Sequence, residues 1–235
     1  MNSGIKKRLI VALDLPTAEE ALKTADELKG LVDYLKIGKQ LFTAAGGDLV
    51  VKLQAKGFKI FLDLKFHDIP NTVGAASVEA AKLGIFMFNV HASGGFEMMK
   101  AAVERVKDYA EKNGKAKPLI IGVTVLTSLG DEDLKKIGVK NDVRGQVELL
   151  SRLAKDAGLD GVVASAHEIK AIKEICGKDF IIVTPGIRPA GAARDDQKRT
   201  MTAAEALSEG ADYIVVGRPI TGAQDKARVV ETLLG

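Results

Sequence analysis

Residues 9–37 of the chain read LIVALDLPTAEEALKTADELKGLVDYLKI, and they contain one complete unit of an alternating pattern. The apolar run at residues 9–13 predicts a buried strand, and a second such run follows at residues 34–37. Between them, Thr17 and Glu20 have the spacing of a capping box, which predicts a helix that ends at the next glycine. The segment therefore predicts a strand, a helix and a second strand parallel to the first.

The same alternation continues along the whole chain. The predicted strands are eight short apolar runs, at residues 9–13, 34–37, 60–64, 86–90, 119–125, 161–164, 180–183 and 213–216. Most are hydrophobic at nearly every position, as expected for parallel strands that are covered on both faces. The longest interval also predicts an extra short helix at residues 131–136. Eight such units in 235 residues match the size of a (β/α)8 TIM barrel of the α/β class, although an open doubly wound sheet has the same local alternation. We expect residues 1–235 to form a single barrel domain.

Composition and charge argue against several classes of protein. The 34 Lys and Arg residues nearly balance the 31 Asp and Glu residues, and the net charge of +3 forms no basic stripe, so no nucleic-acid partner is expected. The longest apolar stretch, at residues 119–126, is too short to span a membrane. Cys176 is the single cysteine, which argues against a disulfide-stabilised secreted protein. We therefore expect a cytoplasmic protein without a membrane partner.

Polar residues cluster where the predicted strands end. Asp14 follows the first strand, Asn89 and His91 come at the end of the fourth, and Thr127 and Ser128 follow the fifth. In barrels of this type the active site lies at the carboxyl ends of the strands. These side chains are therefore candidates for a functional site.

The third predicted strand ends in Asp63 and Lys65, two residues apart. Strand alternation places both side chains on one face, which we expect to point into the barrel. A structural ion pair that fills the barrel mouth is the alternative interpretation. Lys36 on the neighbouring strand and Asp68 in the following loop favour a functional one, because two lysines and two aspartates can alternate and keep the lysines protonated. A protonated lysine held in place can act as a general acid.

The segment after the eighth predicted strand has the features of an anion site. Gly217 permits close approach of a ligand to the backbone, and Pro219 suits the first turn of the last helix. Arg218 adds a guanidinium that can bind phosphate through two hydrogen bonds. Phosphate sites after the seventh and eighth strands are common in such barrels. An arginine with a purely structural role at a helix start is the alternative.

Several motifs of the chain resemble those of one enzyme family. They are DLKFHDIPNT at residues 63–72, ALD at 12–14, LKIG at 35–38, VLTS at 125–128, TPGIRP at 184–189 and VGRPI at 216–220. The chain closely resembles orotidine 5′-phosphate decarboxylases of the bacterial type over essentially its whole length. The resemblance implies a homodimeric barrel that converts orotidine 5′-monophosphate to uridine 5′-monophosphate and CO2, the last step of de novo synthesis of that nucleotide, without a cofactor.

The resemblance also implies roles for the charged residues. Lys65 would deliver a proton to C6 of the pyrimidine after CO2 leaves, and Asp63 would lie against the substrate carboxylate. In the family, the matching set of charges is completed across a dimer interface. Asp68 and Thr72 would therefore serve the site of the partner subunit.

Other matching residues would bind the rest of the substrate. By resemblance, Asp14 and Lys36 would hold the ribose hydroxyls, and Thr127 or Ser128 would approach the pyrimidine.

The segment at residues 188–199 is polar and has no periodicity, so it predicts a mobile lid. By resemblance, Gln197 would reach over to the phosphate and Arg188 would lie at the binding site. A solvated surface loop is the alternative interpretation.

Three other functions remain as alternatives. A keto-sugar-phosphate decarboxylase of the same barrel suprafamily has a similar Asp-x-Lys-x-x-Asp core but needs a divalent metal. A metal-dependent pentose-phosphate epimerase would carry histidines on the strands that here carry Lys36, Asp63 and Lys65. A non-catalytic nucleotide sensor would bind nucleotide without releasing CO2. Since the three histidines lack the spacing of metal ligands, we expect no metal site.

Overall fold

The computed structural model describes residues 7–187 and 201–234. Eight parallel strands form one closed barrel, in which each strand pairs with the next and the eighth pairs with the first. The strands are β1 (Leu9–Ala12), β2 (Tyr34–Gly38), β3 (Lys59–Phe66), β4 (Met87–His91), β5 (Leu119–Val123), β6 (Gly161–Val163), β7 (Ile181–Thr184) and β8 (Tyr213–Val216). Closure excludes the open sheet, and the predicted (β/α)8 barrel is confirmed.

The helices connect and cover these strands. In the described part of the chain they are α1 (Ala18–Leu28), α2 (Lys39–Ala55), α3 (Pro70–Lys82), α4 (Phe96–Asn113), α5 (Asp131–Lys136), α6 (Val143–Asp156), α7 (Ile169–Cys176), α8 (Ala203–Ser208), α9 (Arg218–Thr221) and α10 (Lys226–Leu234). The extra helix α5 has the bounds that the sequence predicted. Cys176 is buried in the core, as expected for a small hydrophobe.

Local sequence signals explain where the first helix begins and ends. The backbone N–H of Glu20 donates a hydrogen bond to Thr17 Oγ1 at 3.2 Å, which satisfies a free donor at the start of α1. Gly30, just beyond α1, has a φ of +81°, which glycine adopts without the strain that a side chain would cause. The predicted helix is therefore confirmed together with both of its end signals.

Strand alternation builds two apolar layers. In β1, Leu9 and Val11 pack between the strands and the helices, whereas Ile10 and Ala12 pack inside the barrel. The inner layer consists of Ile10, Ala12, Tyr34, Phe61, Met87, Ile121, Val183 and Val215. The barrel interior is therefore a packed core and not a pore.

Several boundaries near the site differ from the prediction, and β1 and β5 end at Ala12 and Val123, before the predicted residues 13 and 125. β3 continues to Phe66, and its pairing with β4 shifts register between Leu62 and Phe66. Gly217 does not open the last helix but precedes the four-residue helix α9, because the chain leaves that helix at Gly222 before α10 begins. Among the described residues, no helix is long and apolar enough to cross a membrane.

Candidate active site

A cavity of about 500 Å³ lies at the carboxyl ends of the strands. Inner-layer residues such as Phe61 and Val215 form part of its wall. Its charged and polar lining side chains are Asp14, Lys36, Lys39, Asp63, Lys65, Asn89, His91, Thr127 and Arg218. The barrel thus brings together polar residues that are far apart in the sequence, because parallel strands all end at one edge.

Four charged side chains form a continuous chain of contacts along this cavity. Lys36 Nζ lies 3.0 Å from Asp14 Oδ1 and 3.1 Å from Asp63 Oδ2. Lys65 Nζ lies 2.5 Å from Asp63 Oδ1. Negative and positive groups therefore alternate, and the Asp63 carboxylate lies between two ammonium groups. We call these four residues the charge chain.

Burial and charge act in opposite directions on the two inner members of the charge chain. Lys36 and Asp63 are each 8% exposed. Burial disfavours the ammonium form of Lys36, but the carboxylates of Asp63 and Asp14 outweigh burial and raise the pKa of Lys36. Burial likewise disfavours the carboxylate form of Asp63, but Lys36, Lys65 and Asn89 lower the pKa of Asp63 below its usual value. Both groups therefore remain charged at neutral pH.

The backbone at Lys65 departs from a regular strand. Lys65 has a φ of +53° and is the only non-glycine residue with a positive φ in the part of the chain that the structure describes. Its N–H donates a hydrogen bond to Asn89 Oδ1 at 2.8 Å. The sequence predicted that simple strand alternation brings Lys65 beside Asp63. The structure shows a different cause for this contact. The contact depends on an irregular stretch of β3 instead.

Asp68 and Thr72 lie outside the cavity lining and are exposed. The Asp68 carboxylate accepts a hydrogen bond from the Ile69 N–H at 2.7 Å. The prediction that Asp68 alternates with two lysines is wrong within one chain. Asp14 takes that place, because the pairing of β1 with β2 brings it beside Lys36.

The loops after β7 and β8 form another wall of the cavity. Gly217 and Arg218 line it together with Pro185. A Cβ built on Gly217 would lie 3.4 Å from both Ala12 Cβ and an Asp14 carboxylate oxygen, which is ordinary contact distance. Crowding by neighbouring side chains therefore does not require glycine there.

Of the remaining predicted binding residues among those that the structure describes, one lines the cavity and one does not. Thr127 lines the cavity, whereas Ser128 is exposed and does not line it. Of these two candidates, Thr127 is therefore the one at the cavity. Arg188 and Gln197 lie outside the described residues.

Some lining residues were missed or given no role. Lys39 was missed, although its position directly after the strand of Lys36 was a usable signal. Burial and the nearby His67, Lys39 and Lys65 lower the pKa of His91 to about 4, so this ring is neutral near pH 7. For Asn89, the sequence indicates only a polar residue at a strand end. Among the described residues, no three His, Cys, Asp or Glu side chains form a group that could hold a metal ion.

Comparison with known proteins identifies relatives of the chain. The model of the orotidine 5′-phosphate decarboxylase / HUMPS family matches residues 7–233. An orotidine 5′-phosphate decarboxylase of Saccharophagus degradans is 52% identical over 226 residues, which are 96% of this chain and 93% of the relative. One from Syntrophotalea carbinolica is 49% identical over 232 residues, or 97% and 95% of the two chains. The crystal structure of orotidine 5′-phosphate decarboxylase from Lactobacillus acidophilus has a TM-score of 0.85 and 41% identity, and 97% of each chain is covered. The chain thus belongs to the orotidine 5′-phosphate decarboxylase / HUMPS family.

Proposed function

We propose that this protein converts orotidine 5′-monophosphate to uridine 5′-monophosphate and CO2, as the last step of de novo synthesis of that nucleotide. The observation that carries the proposal is the charge chain, in which Asp63 contacts both lysines at the edge of a cavity. The relatives that match about half of the residues are named for this activity. Those names do not favour the metal-dependent keto-sugar-phosphate decarboxylase.

The reaction requires that C6 of the pyrimidine exchange a carboxylate for a proton. When the bond from C6 to the carboxylate breaks, CO2 leaves and the electron pair remains on C6. The Lys65 ammonium then donates a proton to C6 and regains one from solvent. Asp63 lies against the substrate carboxylate and holds the ammonium groups of Lys65 and Lys36 at 2.5 and 3.1 Å. The cations are therefore in place before the negative charge develops on C6.

The other cavity residues bind parts of the substrate that do not react. Asp14 and Lys36 hold the ribose hydroxyls, and Thr127 approaches the pyrimidine. Gly217 admits the phosphate to the backbone, and the Arg218 guanidinium pairs with it. Binding energy from the phosphate and ribose is thus available to position the base beside Lys65.

We also infer that the protein is a homodimer in which Asp68 and Thr72 complete the partner's site. Both residues are exposed just beyond the strand that carries Lys65. Between them, Ile69 is an apolar side chain that is 66% exposed, which suits burial against a second copy.

Mixing two inactive variants tests this arrangement. In a hybrid of Lys65→Ala and Asp68→Ala subunits, one of the two sites has both residues intact. Random exchange of equal amounts should therefore restore about a quarter of the wild-type activity. No restoration, although subunit exchange is demonstrated with tagged chains, would show that Asp68 does not serve the partner.

The proposal includes no cofactor and no metal, and it places the reaction in the cytoplasm. The decrease of orotidylate ultraviolet absorbance in excess EDTA tests the first point. We expect full activity, whereas a loss that a divalent metal reverses would indicate the metal-dependent alternative. Lys65→Ala should lose nearly all turnover and keep its circular dichroism spectrum. Activity within about tenfold of wild type would refute the role of Lys65 as proton donor.

A further inference from the structure

We propose that Asn89 is a positioning residue that sets the places of Lys65 and Asp63. The inference rests on the function proposed above and adds a residue that acts through its neighbours on the next strand. Asn89 lies on β4 and is 1% exposed. A buried carboxamide is costly unless its polar atoms are bonded, and both of its ends bond to β3.

The two hydrogen bonds of this side chain are of opposite kinds. Asn89 Oδ1 accepts from the backbone N–H of Lys65 at 2.8 Å, and Nδ2 donates to Asp63 Oδ1 at 2.7 Å. The first bond requires an acceptor and the second requires a donor, so the partners determine the orientation of the amide. An aspartate at this position would keep the acceptor but lose the donor. The carboxamide of Asn89 meets both requirements.

The bond to Lys65 supports a backbone conformation that side chains disfavour. Residues with a β-carbon rarely adopt a φ near +53°, and they remain there only where surrounding contacts hold them. The pairing of β3 with β4 shifts register between Leu62 and Phe66, which span this residue. The side chain of Asn89 therefore anchors the backbone of Lys65 where the regular strand pairing is interrupted.

The bond to Asp63 fixes the carboxylate that holds the Lys65 ammonium. Asp63 Oδ1 receives Asn89 Nδ2 and Lys65 Nζ, while Oδ2 faces Lys36 Nζ. Among these three donors, Asn89 is the neutral one, so it orients the carboxylate without changing the number of charges. One amide thus controls both the backbone that carries Lys65 and the anion that its ammonium contacts.

Two substitutions at this position test the inference. Asn89→Ala removes both bonds, and kcat for orotidylate should fall at least about 100-fold, as expected when a reacting group is displaced. Asn89→Asp keeps an acceptor for Lys65 but places a carboxylate against Asp63, and kcat should fall at least about tenfold. If Asn89→Ala does not fold, the aspartate variant carries the test. For each folded variant, calorimetry should find one uridine monophosphate bound per chain, with a Kd within about threefold of wild type.

Thr124→Ala is the matched control. Thr124, directly after β5, is also a buried polar residue, 4% exposed, and its Oγ1 donates to the Val163 carbonyl at 2.9 Å. The hydrogen bonds of Lys65 and Asp63 among the described residues do not include Thr124. Loss of the Thr124 hydroxyl in Thr124→Ala should therefore leave kcat within about threefold of wild type.

A second readout reports on Lys65 without decarboxylation. The group that protonates C6 must also remove the C6 proton of the product in the reverse direction. Exchange of that proton with D2O, followed by NMR, should slow in Asn89→Ala by about the same factor as kcat. A purely structural defect would instead lower the number of uridine monophosphate sites in proportion to kcat.

The outcomes separate this inference from the proposed function. An inactive wild-type protein would refute both. An active wild type with kcat within about threefold in both Asn89 variants would refute the positioning role alone. A fall in kcat that is fully matched by loss of nucleotide sites would refute it as well.

Discussion

Replacing Lys36 by Met tests whether the charge chain stabilises the fold in addition to forming the site. Lys36→Met keeps most of the length of the side chain and removes the ammonium that contacts Asp63 and Asp14. The side chains of Lys36 and Asp63 are only 10% and 11% exposed, so water does not replace the lost partner of Asp63. Asp14 is 53% exposed and is readily hydrated after the substitution.

The expected loss of stability is about 3 kcal/mol, the lower end for a buried ion pair that loses one partner, because Asp63 still contacts Lys65 and Asn89. At roughly 2–4 °C per kcal/mol for a domain of this size, Tm should fall by roughly 6–12 °C. The pKa of Asp63 is lowered in the fold, so its pairs contribute stability above the usual carboxyl range, and this contribution is lost as the pH falls through the lowered pKa. The difference in Tm between variant and wild type should therefore shrink in acid.

Thermal unfolding followed by circular dichroism at pH 7 and in acid measures both effects. Lys82→Met is the control, since Lys82 Nζ lies 2.8 Å from Glu79 Oε1 but the two side chains are 49% and 70% exposed. Breaking such a surface pair should leave Tm almost unchanged. Adding Asp63→Asn to Lys36→Met removes the buried carboxylate that has lost one of its two ammonium partners, and it should recover part of the loss. A fall in Tm below about 2 °C at pH 7, or equal falls in Lys36→Met and the control, would refute the reasoning.

Three further substitutions test other parts of the structure. In Gly161→Ala, the new Cβ would lie 2.1 Å from the Ile181 carbonyl oxygen on the neighbouring strand, so the variant should be insoluble or show a strongly lowered Tm, and a normal Tm would contradict this packing. In Gly38→Ala, the backbone φ of −88° accepts alanine, but the new Cβ would lie 3.1 Å from Lys36 Nζ and displace this ammonium. We therefore expect kcat/KM to fall about tenfold while Tm stays near that of wild type. The pKa of His91 is lowered from 6.5 to about 4, so protonation favours the unfolded chain as the pH falls through this range. Between pH 7 and 5, Tm should therefore decrease less in His91→Gln than in wild type. Parallel decreases in the two proteins would contradict the lowered pKa of His91.

Much of the fold was predictable because its signals are local. The capping pair at Thr17 and Glu20 and the apolar runs at each strand act within a few residues, and the structure has the corresponding elements. Closure of the barrel was not predictable in this way. It depends on the pairing of β1 with β8, in which Leu9 lies opposite Ile214, and an open sheet has the same local pattern.

Part of the candidate active site was also predictable from the sequence, and part was not. Asp14, Lys36, Asp63 and Lys65 could be found from the sequence, because polar residues at the ends of buried strands are conspicuous. The full set of their partners could not. Within the chain, the second aspartate beside Lys36 is Asp14 and not Asp68, since that contact depends on the register of two strands.

By itself, the sequence determined the class of fold, the order of its elements and the residues that carry the charges of the cavity. Only the tertiary structure decided how those charges are held. The left-handed backbone of Lys65 and its bond to Asn89, 24 residues away, leave no local signal in the sequence. The physical reason is that polarity and periodicity are properties of neighbouring residues, whereas a hydrogen bond between strands exists only after the barrel has brought them together.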